Sequence, residues 1–295
     1  MRLRPELALA PLLLISLASC GAKPEDKPGG GAGTIYMNGE THAYVYSFDL
    51  GTGQTSKLVL GQDPYFTPEG TILCSNTNSG DLGEFSVDGT TFRTIVKNNH
   101  QAPYDVTFDD KFQNPQLSPS GKFVAYEGQF GYRFDVYVVD RATGALLAAH
   151  PPVDVGVGFV RPTWTPDERL VVAGANNNPG LYISDPTWKT FTRFDPNLAA
   201  PDGPAVSPDG KTVAFVLNDH IFTIGIDGTG VTQVTKSTGK ESMPTWSPDG
   251  RQLAIYQDAG MAVIGLDGTL VLDLGKLNDQ FMIFTAFKEY QFSWR

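Results

Sequence analysis

The stretch SPDGKTVAF, Ser207 to Phe215, returns as SPDGRQLAI, Ser247 to Ile255. A turn and a strand spelled twice at a fixed spacing confine a chain to architectures that stack one supersecondary unit many times. Five segments share one frame: DPYFTPEGTILCS from Asp63, NPQLSPSGKFVAY from Asn114, RPTWTPDERLVVA from Arg161, GPAVSPDGKTVAF from Gly203 and MPTWSPDGRQLAI from Met243. Each runs Pro, any residue, an apolar or aromatic residue, Ser or Thr, Pro, a turn and an apolar strand. One SPDG is weak evidence, because turn residues cluster by chance. Five copies in register are strong evidence.

The frame has the chemistry of a hairpin. A short strand ends at Ser or Thr, Pro presets φ near −65°, Asp bonds nearby backbone N–H groups, and Gly accepts positive φ. The second strand follows the turn, as in Lys211-Thr212-Val213-Ala214-Phe215. A third strand recurs in DVYVVDRATG, GLYISDPTW, IFTIGIDGTG and MAVIGLDGT, and a fourth in VTQVT from Val231 and TLVLDL from Thr269. Four antiparallel strands per period of roughly 40–50 residues make the blade of a β-propeller.

The chain ends set the blade count. From Thr34, TIYMNGETHAYVYSFDLGTGQTSKLVL reads as the second, third and fourth strands of a blade with no SPDG before it. The last residues, YQFSWR, read as a first strand alone, with Trp294 in the place of Trp164 and Trp246. One end therefore supplies the strand that the other lacks, which removes an exposed sheet edge. The expected fold is an all-β, six-bladed propeller over residues 34–295, closed by its C-terminal strand.

The P-x-W-S-P-D-G-x-x-L-A frame resembles the TolB-type, WD40-like propeller repeat, and the similarity covers residues 34–295. The resemblance implies a periplasmic or extracellular propeller, in a family whose members mostly bind other proteins or serve as scaffolds. TolB carries a separate α/β domain before its propeller, whereas residues 21–33 here read only as a tether. Its partners are accordingly not carried over.

Ahead of the repeats, MRLR supplies two positive charges, LALAPLLLISLA an apolar run, and LASC then Gly21 follows. The run is too short for a bilayer span, which needs roughly 20 apolar residues, and it reads as a secretory signal. Leu17-Ala18-Ser19-Cys20 resembles the lipobox of bacterial lipoproteins, in which the cysteine is acylated after residues 1–19 are removed. Two or more acyl chains anchor stably where one is marginal. The segment from 21 to 33, GAKPEDKPGGGAG, lacks the apolar periodicity a core requires and reads as a flexible tether. The expectation is a monomer in the bacterial cell envelope, held to a membrane through Cys20.

Loss of Arg2, Arg4 and Glu6 with the signal would take the net charge from −10 to −11. An acidic chain without basic clusters argues against nucleic-acid binding by phosphate neutralisation. With Cys20 acylated, Cys74 has no partner for a disulfide. It lies in the apolar run TILCS, where a buried inert thiol is expected.

Chemistry-bearing motifs are sparse. His42, His100, His150 and His220 are scattered, with no HExxH or CxxC pair that would hold zinc. Walker, GxSxG and calcium-loop patterns are missing too. No metal site, cofactor or catalytic residue is assigned. Ser207, Ser247, Asp209 and Asp249 recur with the turn and read as structural.

The candidate binding residues are those that break the repeat. Asp63, Asn114 and Arg161 stand where the frame begins, a position that differs in every copy, as where packing no longer dictates identity. The long connector from Asn98 to Gln113 adds His100, Tyr104, Asp109 and Asp110, and KSTGKES adds Lys240 and Glu241. The plainer reading of these stretches is ordinary solvated loops, with Arg161 as a strut paired to Asp63 or another carboxylate across the channel. FMIFTAF, Phe281 to Phe287, is either buried near the closure seam or a docking patch. The expected function is binding of a protein or ligand without catalysis. The alternative is a hydrolase or lyase with its site at the channel mouth.

Overall fold

The structure is a computed structural model that describes residues 33–38, 44–86, 88–98, 111–130, 133–149, 157–176, 178–257, 260–273 and 293–294. Blade 1 holds β1 (Thr34–Asn38), β2 (Tyr44–Asp49) and β3 (Thr55–Leu60). Blade 2 holds β4 (Gln62–Phe66), β5 (Ile72–Ser75), β6 (Leu82–Phe85) and β7 (Phe92–Val96). Blade 3 is β8 (Lys111–Leu117), β9 (Phe123–Phe130), β10 (Arg133–Asp140) and β11 (Leu146–Ala149). Blade 4 is β12 (Val157–Trp164), β13 (Leu170–Asn176), β14 (Gly180–Ser184) and β15 (Phe191–Arg193). Blade 5 is β16 (Asp202–Val206), β17 (Thr212–Leu217), β18 (His220–Gly225) and β19 (Thr232–Gln233). Blade 6 is β20 (Glu241–Trp246), β21 (Gln252–Gln257), β22 (Gly260–Gly265) and β23 (Leu270–Asp273). The last strand, β24 (Ser293–Trp294), returns to blade 1.

Every sheet is a four-stranded antiparallel meander, and blade 1 has the order β24-β1-β2-β3. The expected closure is therefore present. Ile35 pairs with Trp294 and Tyr36 with Ser293, so the innermost strand of blade 1 comes from the far end of the chain. The seam is bonded sideways too. The Phe66 amide of blade 2 donates to Ser293 Oγ at 3.1 Å, and the Tyr36 and Phe66 rings stack with centroids 4.1 Å apart.

The core is divided into six wedges, one between each pair of neighbouring blades. Ile72 and Cys74 of blade 2 pack on Val45 and Val59 of blade 1, and Leu73 and Leu82 face Val124 and Tyr126 of blade 3. Val136 and Val138 of blade 3 meet Trp164 and Val172 of blade 4. Val171 and Leu181 then meet Phe215 and Ile224, and Ile221 meets Trp246 and Leu253. The ring ends where Met261 and Val263 of blade 6 pack on Ile35, Met37 and Trp294 of blade 1. Alternation along each strand sends successive side chains to opposite faces, so each sheet serves two wedges. Cys74 is fully buried, as expected, and burial pushes its thiol far up, which makes it a poor nucleophile.

The repeated turn has the expected chemistry. Gly210 N bonds Ser207 O at 2.8 Å, Ser207 Oγ donates to Asp209 Oδ1 at 2.7 Å, and the Thr212 amide donates back to Ser207 Oγ at 3.0 Å. The fourth turn residue has positive φ in each copy: Gly70, Gly121, Gly210, Gly250 and, in blade 4, Glu168 at 63°.

Candidate binding sites at the two ends of the channel

The first strands of the blades run in one direction around the axis, so they begin at one mouth and end at the other. At the end lie the SPDG turns. There the last residues of these strands and their turns line a half-open funnel of about 570 Å³. Its wall is contributed by five frames and by the closing strand, and includes Pro68, Pro119, Pro166, Pro208 and Pro248 with Trp164, Trp246 and Trp294. Thr163 and Thr245 stand half-buried between the prolines, whereas the indoles are mostly buried and the Ser207 and Ser247 hydroxyls are bonded within their own turns. The tryptophans fasten one blade to the next: Trp164 Nε1 donates to Gln116 O at 3.0 Å, and Trp246 Nε1 to Ala205 O at 2.9 Å. A funnel of exposed prolines with threonine hydroxyls between them is a surface for an extended chain or a small amphipathic ligand. From the sequence, Ser207, Ser247, Asp209 and Asp249 read as structural turn residues with no funnel implied. The signal was the recurrence itself, since identical turns on every blade must converge at one mouth.

At the opposite mouth stand the residues that break the repeat. They lie inside the first strand of each blade, not before it. Asp63, Asn114, Arg161, Gly203 and Met243 all take left-handed backbone, with φ between 49° and 59°. Each sits at a register break with the second strand and is followed by Pro, which has no N–H to give the ladder. Asp and Asn tolerate this conformation better than other non-glycine residues.

The freed amides are taken up by side chains, three of them from the preceding blade. The Asp63 amide donates to Asn38 Oδ1 of blade 1 at 2.8 Å. The Asn114 amide donates to Asp63 Oδ2 of blade 2 at 3.3 Å. The Arg161 amide donates to Glu127 Oε1 of blade 3 at 2.7 Å, and Asn114 Nδ2 donates to the same oxygen. In blade 5 the Gly203 amide donates to its neighbour Asp202. Arg161 then reaches across blade 5, where Gly203 has no side chain in the way: Nη1 donates to Met243 Sδ at 3.3 Å, and Nε is 3.8 Å from Asp202 Oδ1. The result is a buried polar belt threaded through the inner strands.

Burial sets the electrostatics of the belt. Asp63 is 2% exposed and Glu127 3%. Desolvation pushes the Asp63 carboxyl up to about 7, against the Asn114 amide and the Arg161 charge, with the Glu127 charge adding to the rise. Burial also raises Glu127, although Arg161 and Asn114 oppose it.

The structure thus brings Asp63, Asn114 and Arg161 together, as the sequence suggested, but turns the first two inward. Arg161 is partnered as a strut, by Met243 and Asp202 in place of the Asp63 pairing. Glu241 is 3% exposed and bonds His220 Nδ1 at 2.7 Å, Thr235 Oγ1 at 3.0 Å and Ser237 Oγ. It is a buried anchor in a stretch whose Lys236, Ser237, Thr238 and Lys240 are exposed, and Lys240 pairs with Asp219. His100, Tyr104, Asp109, Asp110, Cys20 and Phe281–Phe287 lie outside the described residues. Asn38, Glu127 and Asp202 were missed, because they fall outside the repeated frame. Glu127, an acid within the apolar run VAYEGQF, was the one legible signal.

No protein-family model and no curated protein matches the chain. Among solved structures it is similar to TolB from Acinetobacter baumannii, at 16% identity and TM-score 0.66, with 90% of this chain and 67% of that one covered. A putative TolB from Agrobacterium tumefaciens is similar at 19% identity and TM-score 0.58, covering 83% and 90%. An oligogalacturonate lyase in complex with manganese is similar at 11% identity and TM-score 0.54, covering 80% and 77%. At these identities the likeness is one of fold: this chain is a six-bladed propeller of the shape that TolB and a sugar-acid lyase share.

Proposed function

We propose that the protein is a lipid-anchored scaffold of the bacterial envelope, a monomer whose propeller captures a segment of a partner protein without catalysis. Cys20 carries the anchor, residues 1–19 are the signal, and residues 20–33 give the propeller its reach. The observation that carries the reading is the funnel of about 570 Å³ at the turn mouth. Its exposed prolines, with Thr163 and Thr245 between them, suit an extended peptide, which brings its own backbone donors and acceptors. The other mouth is less suited to a macromolecule, since burial takes Asp63 and Asn114 away from it. A hydrolase or lyase is the second reading, favoured by the Asp63 carboxyl near neutrality, where a general base works best. The same burial keeps a substrate off that carboxyl.

The test is crosslinked capture in cells. Ser120 is an exposed turn residue on the funnel wall. Ser120→Trp should abolish capture while leaving the melting temperature nearly unchanged. Capture that survives Ser120→Trp but is lost in Lys240→Glu would move the partner to the opposite mouth. Cys20→Ala should release the protein from membranes or leave it unprocessed, and an unmodified mature N-terminus in the wild type would remove the anchor.

A further inference from the structure

The chain enters the ring at the turn mouth. β1 takes the second place in blade 1, the place from which strands run away from the SPDG turns toward the opposite mouth. Gly33 O accepts the Leu50 amide at 3.0 Å, in the turn that joins β2 to β3 at the same end. Gly33 lies 13 positions after Cys20. That stretch spans about 20 Å as a Gly-rich coil and about 45 Å when fully extended. Turning the opposite mouth to a membrane would use up much of that reach in passing the blades, whose strands are about 17–20 Å long.

The described residues expose five large aliphatic side chains, and all five stand at this end. Leu146 (52% exposed) and Leu147 (41%) open β11, Val231 (38%) precedes β19, Leu266 (42%) follows β22 and Leu270 (58%) opens β23. Each borders the turn between the third and fourth strands of its blade, so together they mark the outer rim of the turn face. One such side chain alone needs no explanation. Blades 3 and 6 lie across the ring from one another with blade 5 to one side, and three points that are not in line define a plane. The rim is also acidic. Each of the six turns between third and fourth strands holds an Asp that accepts from a Thr of the same turn, as Asp227 does from Thr229 and Asp267 from Thr269.

We propose that the turn face rests flat on the bilayer to which Cys20 is anchored, its rim aliphatics in the headgroup region and its rim carboxylates against the ammonium groups of a zwitterionic, ethanolamine-type lipid. The inference rests on the lipid anchor proposed above. Aliphatic side chains with charged groups between them suit the boundary between headgroups and acyl chains. The carboxylates set the preference among lipids, because an anionic headgroup repels them. Contacts too weak to bind a free protein suffice here, since the tether holds the face at a high effective concentration beside the membrane. The funnel then opens toward the bilayer, and the segment it captures belongs to a partner held at the same surface.

The test uses the full lipidated chain in vesicles of phosphatidylethanolamine and phosphatidylcholine. With Cys20 acylated and Cys74 buried, one introduced cysteine can carry a fluorophore. The labels go at Leu270→Cys on the rim and at Lys236→Cys, an exposed position at the opposite mouth. Lipids bearing a nitroxide on the headgroup should quench the label at 270 strongly and the label at 236 little. Leu146→Asp, Leu147→Asp, Val231→Asp and Leu266→Asp together should bring quenching at 270 down to the level at 236, although the anchor and tether are intact. Replacing phosphatidylethanolamine by phosphatidylglycerol should weaken quenching at 270, and high salt should restore it. Equal quenching of the two labels, or quenching at 270 that ignores the four aspartates, overturns the proposal and leaves the anchor standing. Aspartates that abolish partner capture but not quenching overturn it too, by assigning the rim to a protein. A chain that does not stay on the vesicles overturns the anchor itself.

Discussion

At the turn mouth of the channel the sequence repeats along with the backbone. At the opposite mouth the backbone repeats, with φ confined between 49° and 59°, while the residue is Asp, Asn, Arg, Gly or Met. The difference lies in what enforces each geometry. The SPDG turn is held by its own side chains, Ser to Asp and Ser to the following amides, so those side chains must recur. The left-handed bulge is held from outside, by the proline after it and by acceptors on neighbouring residues. Its own side chain is left free to differ. Variation inside a fixed backbone is thus a pointer to chemistry, while repetition is a pointer to geometry.

Loss of the closing strand should have the largest effect. Trp294 is 4% exposed and packs in the wedge between blades 6 and 1. Trp294→Ala should cost about 3–5 kcal/mol in urea unfolding, and removing residues 290–295 at least as much. Trp164→Ala and Trp246→Ala should fall in the same range. A Trp294 variant as stable as the wild type would mean that the ring does not depend on its seam.

The strut comes next. Arg161→Ala removes a charge that opposes the effect of burial on Glu127, but the ion-pair partner Asp202 is exposed and the backbone bond to Glu127 survives. The cost should therefore fall below the about 3–5 kcal/mol typical of breaking a buried pair. Partner capture per folded molecule should be unchanged. A variant that folds normally and loses capture would return Arg161 to the role its variability suggested.

The two mouths should also titrate in opposite senses. Asp63 is raised to about 7 in the fold and has an ordinary carboxylate value when unfolded, so the folded state holds a proton that the unfolded state has released. Stability should therefore fall as pH rises from about 4 to 7, by up to about 1.4 kcal/mol per unit, and then level off. Asp209 and Asp249 are lowered, first by the hydroxyls of Ser207 and Ser247. Their contribution is present above the ordinary carboxylate range and disappears as pH falls through it. Thermal melts in EDTA should show a maximum on the acid side of neutrality, and Asp63→Asn should flatten the limb between pH 4 and 7. Stability rising with pH across that limb would show that Asp63 is ionised at little cost.

The smallest effect concerns the one turn without glycine. Glu168 holds φ at 63°, so Glu168→Gly removes a strain of order 1 kcal/mol. Against that, it gives up the bond from the Ser120 amide at 3.1 Å. The net change should lie between zero and about 1 kcal/mol in favour of the variant.

The blades, their number and the closure were legible because each is written locally and repeatedly. SPDG fixes a hairpin within nine residues, and Trp294 could be matched to Trp164 and Trp246 by its frame alone. The belt was half legible. Its positions were visible as breaks in the repeat, but their backbone was not, since nothing in Asp, Asn, Arg and Met together suggests a shared left-handed conformation. Their partners were hidden for a different reason. Asn38 and Glu127 bond residues 25 and 34 positions away on the next blade, and a contact between blades leaves no mark on the period within one. Glu241 shows the same limit, because a loop-like neighbourhood gave no sign of burial under His220, Thr235 and Ser237.

The bond between Phe66 and Ser293 joins groups 227 positions apart, and this has a kinetic meaning. Five wedges can begin to form between blades that are neighbours in the chain. The sixth must wait for the two ends to meet, and until then Ile35, Met37 and the free edge of β1 face water. Such a long loop closure is slow, and the waiting edge is a template on which a second chain could pair. A circularly permuted gene that opens the chain between blades 3 and 4 and joins residue 295 to residue 34 would turn the seam into a local hairpin. That permutant should refold faster and aggregate less than the natural order, with the same blades at the end.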